Sequence, residues 1–176
     1  YCSEDSLAKP IGTDHKSNGR QSPANLKVTS ICDELKLATN FRSKVVGVCI
    51  KDRGAIFPAG HTADAAFWFD ASIGRWISSS HYMDALPDWL IKYNEGTLYP
   101  KETYVQSDKD ENIYEGKYKG YHSSSFPYKL DSLGKKGNSI MASTPWGNTM
   151  TAEVAKLALE NYTMGQDDIT DFLAVS

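Results

Sequence analysis

The sequence predicts an α/β fold built on a parallel sheet, and three observations carry that reading. A helical pattern, "TSICDELKLATN", runs into the continuous apolar run "VVGVCI". Two aromatic-rich strand patterns, "AAFWFD" and "RWISSS", flank the short turn "ASIG". A second helical pattern, "TAEVAKLALENYTMG", is followed by the apolar "ITDFLAVS". Helices alternating with strands that are apolar on both faces are the mark of a sheet covered on each side.

In chain order, the first 21 residues are polar and rich in Gly, Ser, Asn and Asp and read as loop, with Ser22-Pro23 a candidate cap for a short helix. The helix within 29–40 has Thr29 or Ser30 as N-cap, Asp33 and Glu34 in its first turn, and Ile31, Leu35 and Ala38 along one face. Val45 to Ile50 is rich in β-branched residues and reads as a strand buried on both faces. Residues 66–80 read as a β-hairpin packed through Phe67, Phe69 and Trp76.

"MDALPDWLIKYN" predicts a helix capped by Asp84, with Leu86, Trp89, Leu90 and Tyr93 on one side and Asn94 at its end. From Glu95 to Pro145 the text turns to Tyr, Lys, Ser and Gly without periodicity and reads as long loops. The last helix is expected to start at the Thr151 cap, to present Val154, Leu157, Ala158 and Tyr162 and to stop at Gly165; "ITDFLAVS" then forms a second buried strand. This gives one partial domain, 1–176, with α/β core segments at 1–94 and 146–176 and a cap-like excursion at 95–145. A chain stopping at the carboxyl end of a parallel strand is expected to be a piece of a larger protein, because ligand loops follow such strands.

The chain has 176 residues and a net charge of −3, with no local run of Lys and Arg, which argues against a nucleic-acid polymer as partner. Its apolar runs are too short to span a membrane, and "YCSEDSLAKP" carries no signal-peptide pattern. Cys2, Cys32 and Cys49 form no CxxC pair and read as core or surface thiols.

The chemistry concentrates at "CIKDRGAIFPAGH", residues 49–61. If the strand persists, Lys51 and Arg53 share a side at the sheet's carboxyl edge and suit an oxyanion. Lys51 offers a compact charge and Arg53 a planar fork for two phosphoryl oxygens, while Asp52 faces away and can orient its neighbours. The plain alternative is a solvated strand end with a weak surface ion pair. His61 either enters that site or braces its loop. His15, His61, His81 and His122 show no HxH or HxxxH spacing and are not read as metal ligands. Ser78, Ser79, Ser80 and the "HSSSF" run lack a nucleophile-elbow context. The excursion's Tyr99, Tyr104, Tyr114, Tyr118, Tyr121 and Tyr128 either stack on a ligand or pack loops.

The run "SKVVGVCIKDRGAIFPAGHTADAAFWFDASIGRWISSSHYMDALPDWLIKYN", with "SPANL", "CDELKLAT", "TPWGN" and "TDFLAVS", resembles an interior piece of the alkaline phosphatase superfamily. It is most similar to the phosphate-irrepressible branch that includes type I phosphodiesterases, or nucleotide pyrophosphatases. Phe57, where that family often has Leu, departs mildly from the pattern.

The resemblance implies an α/β/α sandwich with a hairpin and a cap beside the active site. It implies that Lys51 and Arg53 contact the non-bridging oxygens of a phosphate ester substrate. It further implies a threonine nucleophile and two zinc ions in the parent protein, with nucleophile and metal ligands lying outside these residues. No catalytic or metal-binding residue is therefore expected in the chain itself, which should be inactive alone and hold no zinc. The parent is expected to be periplasmic or secreted. Two other readings stay open. One is a free-standing module binding a phosphorylated or carbohydrate ligand without catalysis; the other is an interaction fragment that self-associates through exposed sheet edges.

Overall fold

The computed structural model describes residues 1–96, 135–142 and 144–176. Residues 97–134 of the cap-like excursion, with its tyrosines, His122 and the "HSSSF" run, lie outside the described residues.

The sheet grows from strand β2 (Val45–Cys49), all five residues of which are buried. Apolar, β-branched side chains on both faces demand cover on both sides, and neighbours supply it. Strand β3 (Ala65–Asp70) runs parallel on one edge of β2, Val46 opposite Ala65 and Cys49 opposite Trp68. Strand β5 (Phe172–Val175) runs parallel on the other, with Gly47 opposite Ala174. Strand β4 (Arg75–Ser79) turns back antiparallel on β3 to make the expected hairpin, and β1 (Pro10–Ile11) adds antiparallel to β4. The order is β1-β4-β3-β2-β5.

Side-chain alternation splits the core in two. Val46, Val48, Phe67, Phe69 and Trp76 face helices α4 (Asp88–Glu95), α5 (Lys135–Met141) and α6 (Pro145–Asn161), meeting Leu90, Met141, Met150, Val154 and Ala158. Phe67 meets Trp89 edge to face at 5.4 Å. On the opposite face Cys49, Ala66, Trp68 and Ile77 pack against Ala55 and Ile56 of helix α3 (Asp52–Ala59). Helix α2 (Ile31–Ala38) joins that layer through Cys32, which packs with Val45 and Ala59. The result is an α/β/α sandwich, as expected.

Several boundaries differ from the sequence reading, each for a local reason. The run after β2 does not continue as a strand: α3 begins at Asp52, with Lys51 as its extended N-cap. Helix α4 begins at Asp88, four residues after the expected Asp84 cap, because Pro87 is extended and restrains Leu86 from helical angles. Helix α6 begins at Pro145, capped by Thr144, so Thr151 is an interior residue whose hydroxyl donates back to the Gly147 carbonyl at 2.7 Å. Helix α5 falls in a stretch read as loop, and its Met141 is fully buried.

Strand β5 is half-buried rather than buried, since among the described residues it pairs with β2 alone. The N-terminal segment holds a one-turn helix, α1 (Lys16–Gly19), besides β1. Ser22-Pro23 opens a turn, not a helix: the Ser22 hydroxyl accepts from Ala24 N–H and donates to Asp5. The three cysteines are free, Cys2 exposed and the other two buried.

Candidate functional site

Where β2 ends, the chain passes from extended backbone into α3 within two residues, so the "KDRG" charges stand on the first turn of a helix at the carboxyl edge of the parallel strands. Residues two apart on a helix do not face each other, so the strand-spacing argument for Lys51 and Arg53 sharing a side does not hold. What unites them is position. Lys51 is the N-cap, Arg53 lies in the first turn, and both are exposed. The Lys51 ammonium has no hydrogen bond or ion pair among the described residues, and the Arg53 side chain has one hydrogen bond there, from Nη1 to the Tyr1 hydroxyl at 2.6 Å. Among the described residues neither cation is neutralised by a carboxylate in direct contact.

Asp52 turns to its own neighbours. Its Oδ1 accepts from the Arg53 backbone N–H at 2.6 Å and from the Tyr1 hydroxyl at 2.9 Å. The Tyr1 contact raises the pKa of Arg53, a guanidinium that is charged at any working pH in any case. Below this turn, Cys49 Sγ accepts from the Lys51 N–H at 3.3 Å. This edge can therefore offer an anion two cations, through the Lys51 ammonium and the guanidinium N–H groups of Arg53 that Tyr1 leaves open.

His61, twelve residues after Cys49, stands at the other end of α3 and is engaged on both ring nitrogens. Its Nδ1 lies 3.0 Å from Asp33 Oδ2 and its Nε2 3.0 Å from the Leu26 carbonyl. Asp33 is a hub: it also accepts from the backbone N–H groups of Ser30, His61 and Thr62 and from the Thr62 hydroxyl. With the Ser30 hydroxyl accepting from Asp33 N–H, this closes a capping box on α2. The turn after α3 passes close by: Gly60 has φ of +83°, and a Cβ there would lie 2.2 Å from Ser30 Oγ. His61 thus ties that turn to α2, away from the "KDRG" turn.

Burial opposes ionisation of Asp33, but the hydrogen bonds from Ser30, His61 and Thr62 outweigh it and hold its pKa well below the usual range. The Asp33 contact outweighs partial burial at His61 and raises its pKa. The signs fix a window. The carboxylate's contribution to stability is present above its unfolded pKa of about 4 and fades as pH falls through the lowered folded value. The imidazolium's contribution is present below its unfolded pKa of about 6.5 and fades as pH rises through the raised folded value. Urea unfolding should therefore show a stability loss between pH 6 and pH 9 that His61→Gln removes; equal pH slopes for the two proteins would mean that His61 is neutral in this contact.

A second buried carboxylate, Asp70, ends β3. It accepts from Thr13 Oγ1 at 2.8 Å, Asn18 Nδ2 at 2.7 Å, Ser72 N–H at 2.9 Å and the Ser72 hydroxyl. Burial is again outweighed, by Ser72, Thr13 and Asn18, and its pKa is lowered. It clasps the N-terminal segment onto the hairpin turn. The residues that sequence reasoning missed are Tyr1 and Asp33. Tyr1 reaches Arg53 across 52 positions and leaves no local signal. Asp33, three residues after the Ser30 cap, carried a capping-box signal that was available.

Among the described residues no group of three or more His, Cys, Asp or Glu side chains is placed to hold a metal ion. No described helix is long and apolar enough to cross a membrane.

No protein-family model matches the chain. Individual proteins do. Alkaline phosphatase PhoV of Synechococcus elongatus is 48% identical over the whole chain, a calcium-transporting ATPase of Myroides odoratus 47%, and alkaline phosphatase PafA of Elizabethkingia meningoseptica 42%. The chain spans only 34%, 35% and 35% of their respective lengths. Two crystal structures of alkaline phosphatase PafA align over 98% of the chain and 36% of their own, with TM-scores of 0.80 and 0.78 at 37% and 40% identity. The first is a variant in which a threonine is replaced by serine and an asparagine, a lysine and an arginine by alanine, the last two being two positions apart. End to end, in sequence and in fold, the chain is similar to proteins named alkaline phosphatases, of whose length it spans about a third.

Proposed function

We propose that the protein containing this chain hydrolyses phosphate esters and that Lys51 and Arg53 grip the non-bridging oxygens of the transferring phosphoryl group. One observation carries this reading: two exposed cations, neither in direct contact with a carboxylate among the described residues, on the helix turn that follows the central parallel strand. Two supports stand beside it. Two of the three relatives above are named as alkaline phosphatases, and the PafA variant combines a threonine, an asparagine and a Lys/Arg pair with the same spacing as Lys51 and Arg53.

Charge argues for monoesters over diesters. A dianionic monoester offers three oxygens to share between a Lys point charge and an Arg fork, whereas a diester has one of them esterified. As charge redistributes in the transition state, preorganised donors gain more than in the ground state, so the clamp acts on the chemical step. In this reading a threonine attacks phosphorus as the ester's P–O bond breaks, and water then cleaves the phosphothreonine. Neither that threonine nor a ligand of the two zinc ions is assigned to a residue of this chain, and the described residues offer no fit for the metal. Residues 1–176 contribute the clamp, the protein acts in the periplasm or outside the cell, and the chain by itself is inert.

Bound zinc and hydrolysis of an aryl phosphate by the intact protein test the proposal. Zinc-dependent turnover supports it. A metal-free, inert protein that still binds phosphate overturns it in favour of a binding module, and Lys51-dependent turnover by residues 1–176 alone overturns the claim of inertness.

A further inference from the structure

Arg53 is an exposed arginine, yet it is not left to wander. The Tyr1 hydroxyl accepts from its Nη1 at 2.6 Å and donates to Asp52 Oδ1 at 2.9 Å, and the guanidinium carbon lies 5.9 Å from the Tyr1 ring centroid. Asp52 is held in turn by the Arg53 backbone N–H, so the loop closes on itself: carboxylate, phenol, guanidinium and main chain.

Resting on the phosphate-ester reading above, we infer that Tyr1 is a positioning residue for Arg53, fixing the guanidinium so that its Nε and Nη2 edge is presented to a phosphoryl group. An arginine side chain carries about 2 kcal/mol of rotamer entropy, part of which is lost on binding unless it has been lost beforehand. Tyr1 takes one nitrogen at the Nη1 corner, and Nε and Nη2 make no hydrogen bond among the described residues. That edge is a two-donor fork of the geometry that phosphoryl oxygens match.

Charge favours the same arrangement. If Asp52 held Arg53 directly, a carboxylate would compete with the phosphoryl group for the same donors. A phenol between them accepts without a formal charge, and the carboxylate behind it makes the phenol oxygen a stronger acceptor. Partial burial and the Asp52 contact raise the Tyr1 pKa, which keeps the phenol protonated into the alkaline range.

The test is Tyr1→Phe in the intact protein, alone and combined with Arg53→Ala, with an aryl phosphate monoester as substrate. Phenylalanine keeps the ring and removes the hydroxyl. Tyr1→Phe should lower kcat/KM by about 10-fold, the worth of one hydrogen bond to a charged group, with an unchanged thermal midpoint. In the Arg53→Ala background it should cost nothing further. Wild-type kcat/KM in Tyr1→Phe, while Arg53→Ala is impaired, overturns the inference and leaves the clamp standing. An equal loss in both backgrounds also overturns it, since Tyr1 then acts other than through Arg53. An unimpaired Arg53→Ala protein overturns the clamp reading itself and the inference with it.

Discussion

Lys51→Ala and Arg53→Ala in the intact protein are each expected to lower kcat/KM for an aryl phosphate by about 100- to 1,000-fold, since one preorganised donor on a transferring group is worth roughly 3 kcal/mol. Most of the loss should fall on kcat, because the contacts strengthen as the transition state is reached, and a smaller share on KM. Stability should change little: both side chains are exposed, the Lys51 ammonium has no hydrogen bond or ion pair among the described residues, and Arg53 gives up one exposed hydrogen bond to Tyr1. Arg53→Lys should recover part of the loss, since it restores the charge without the fork. If Lys51→Ala runs at the wild-type rate, the clamp is wrong and the "KDR" run is the solvated turn that surface charges usually are.

Much of the fold was legible because it depends on local chemistry. Val45 to Cys49 could be little else than a central strand, and the aromatic alternation around "ASIG" gave the hairpin almost to the residue. What escaped follows from rules that act across a boundary. Thr144-Pro145 is a cap followed by a first-turn proline, a start signal hidden within a stretch whose composition reads as loop. Strand β5 has the composition of a buried strand, but burial depends on what lies along its outer edge, which its own residues do not specify.

The candidate site divides in the same way. Its cations were visible because Lys, Asp and Arg after an apolar strand are unexpected. Their relative direction was misjudged, because one rotation of backbone at Asp52 converts strand spacing into helix spacing. The contacts that organise the turn, Tyr1 to Arg53 and His61 to Asp33, join residues 52 and 28 positions apart and could be seen only in three dimensions.

The clamp also depends on how closely α3 lies on the sheet, and Gly47 sets that distance. A Cβ at Gly47 would stand 2.2 Å from the Ala55 carbonyl oxygen, 2.9 Å from its carbon and 3.1 Å from Ala59 Cβ. Two of these three are backbone atoms of α3, so no rotamer change relieves the overlap and the helix must move outward. Overpacking usually costs 1–3 kcal/mol, and a clash with backbone belongs at the upper end, so Gly47→Ala should destabilise the protein by about 3 kcal/mol. Since Lys51 and Arg53 stand where β2 passes into α3, the folded fraction should also lose activity: a shift of about 1 Å at a reacting group can cost about 100-fold. The pairing of effects distinguishes this variant from the clamp variants. Gly47→Ala lowers both the unfolding midpoint and kcat, whereas Lys51→Ala lowers kcat and leaves the midpoint unchanged. A Gly47→Ala protein with the wild-type midpoint would mean that α3 does not rest directly on β2, and the placement of the "KDRG" turn at the sheet's edge would go with it.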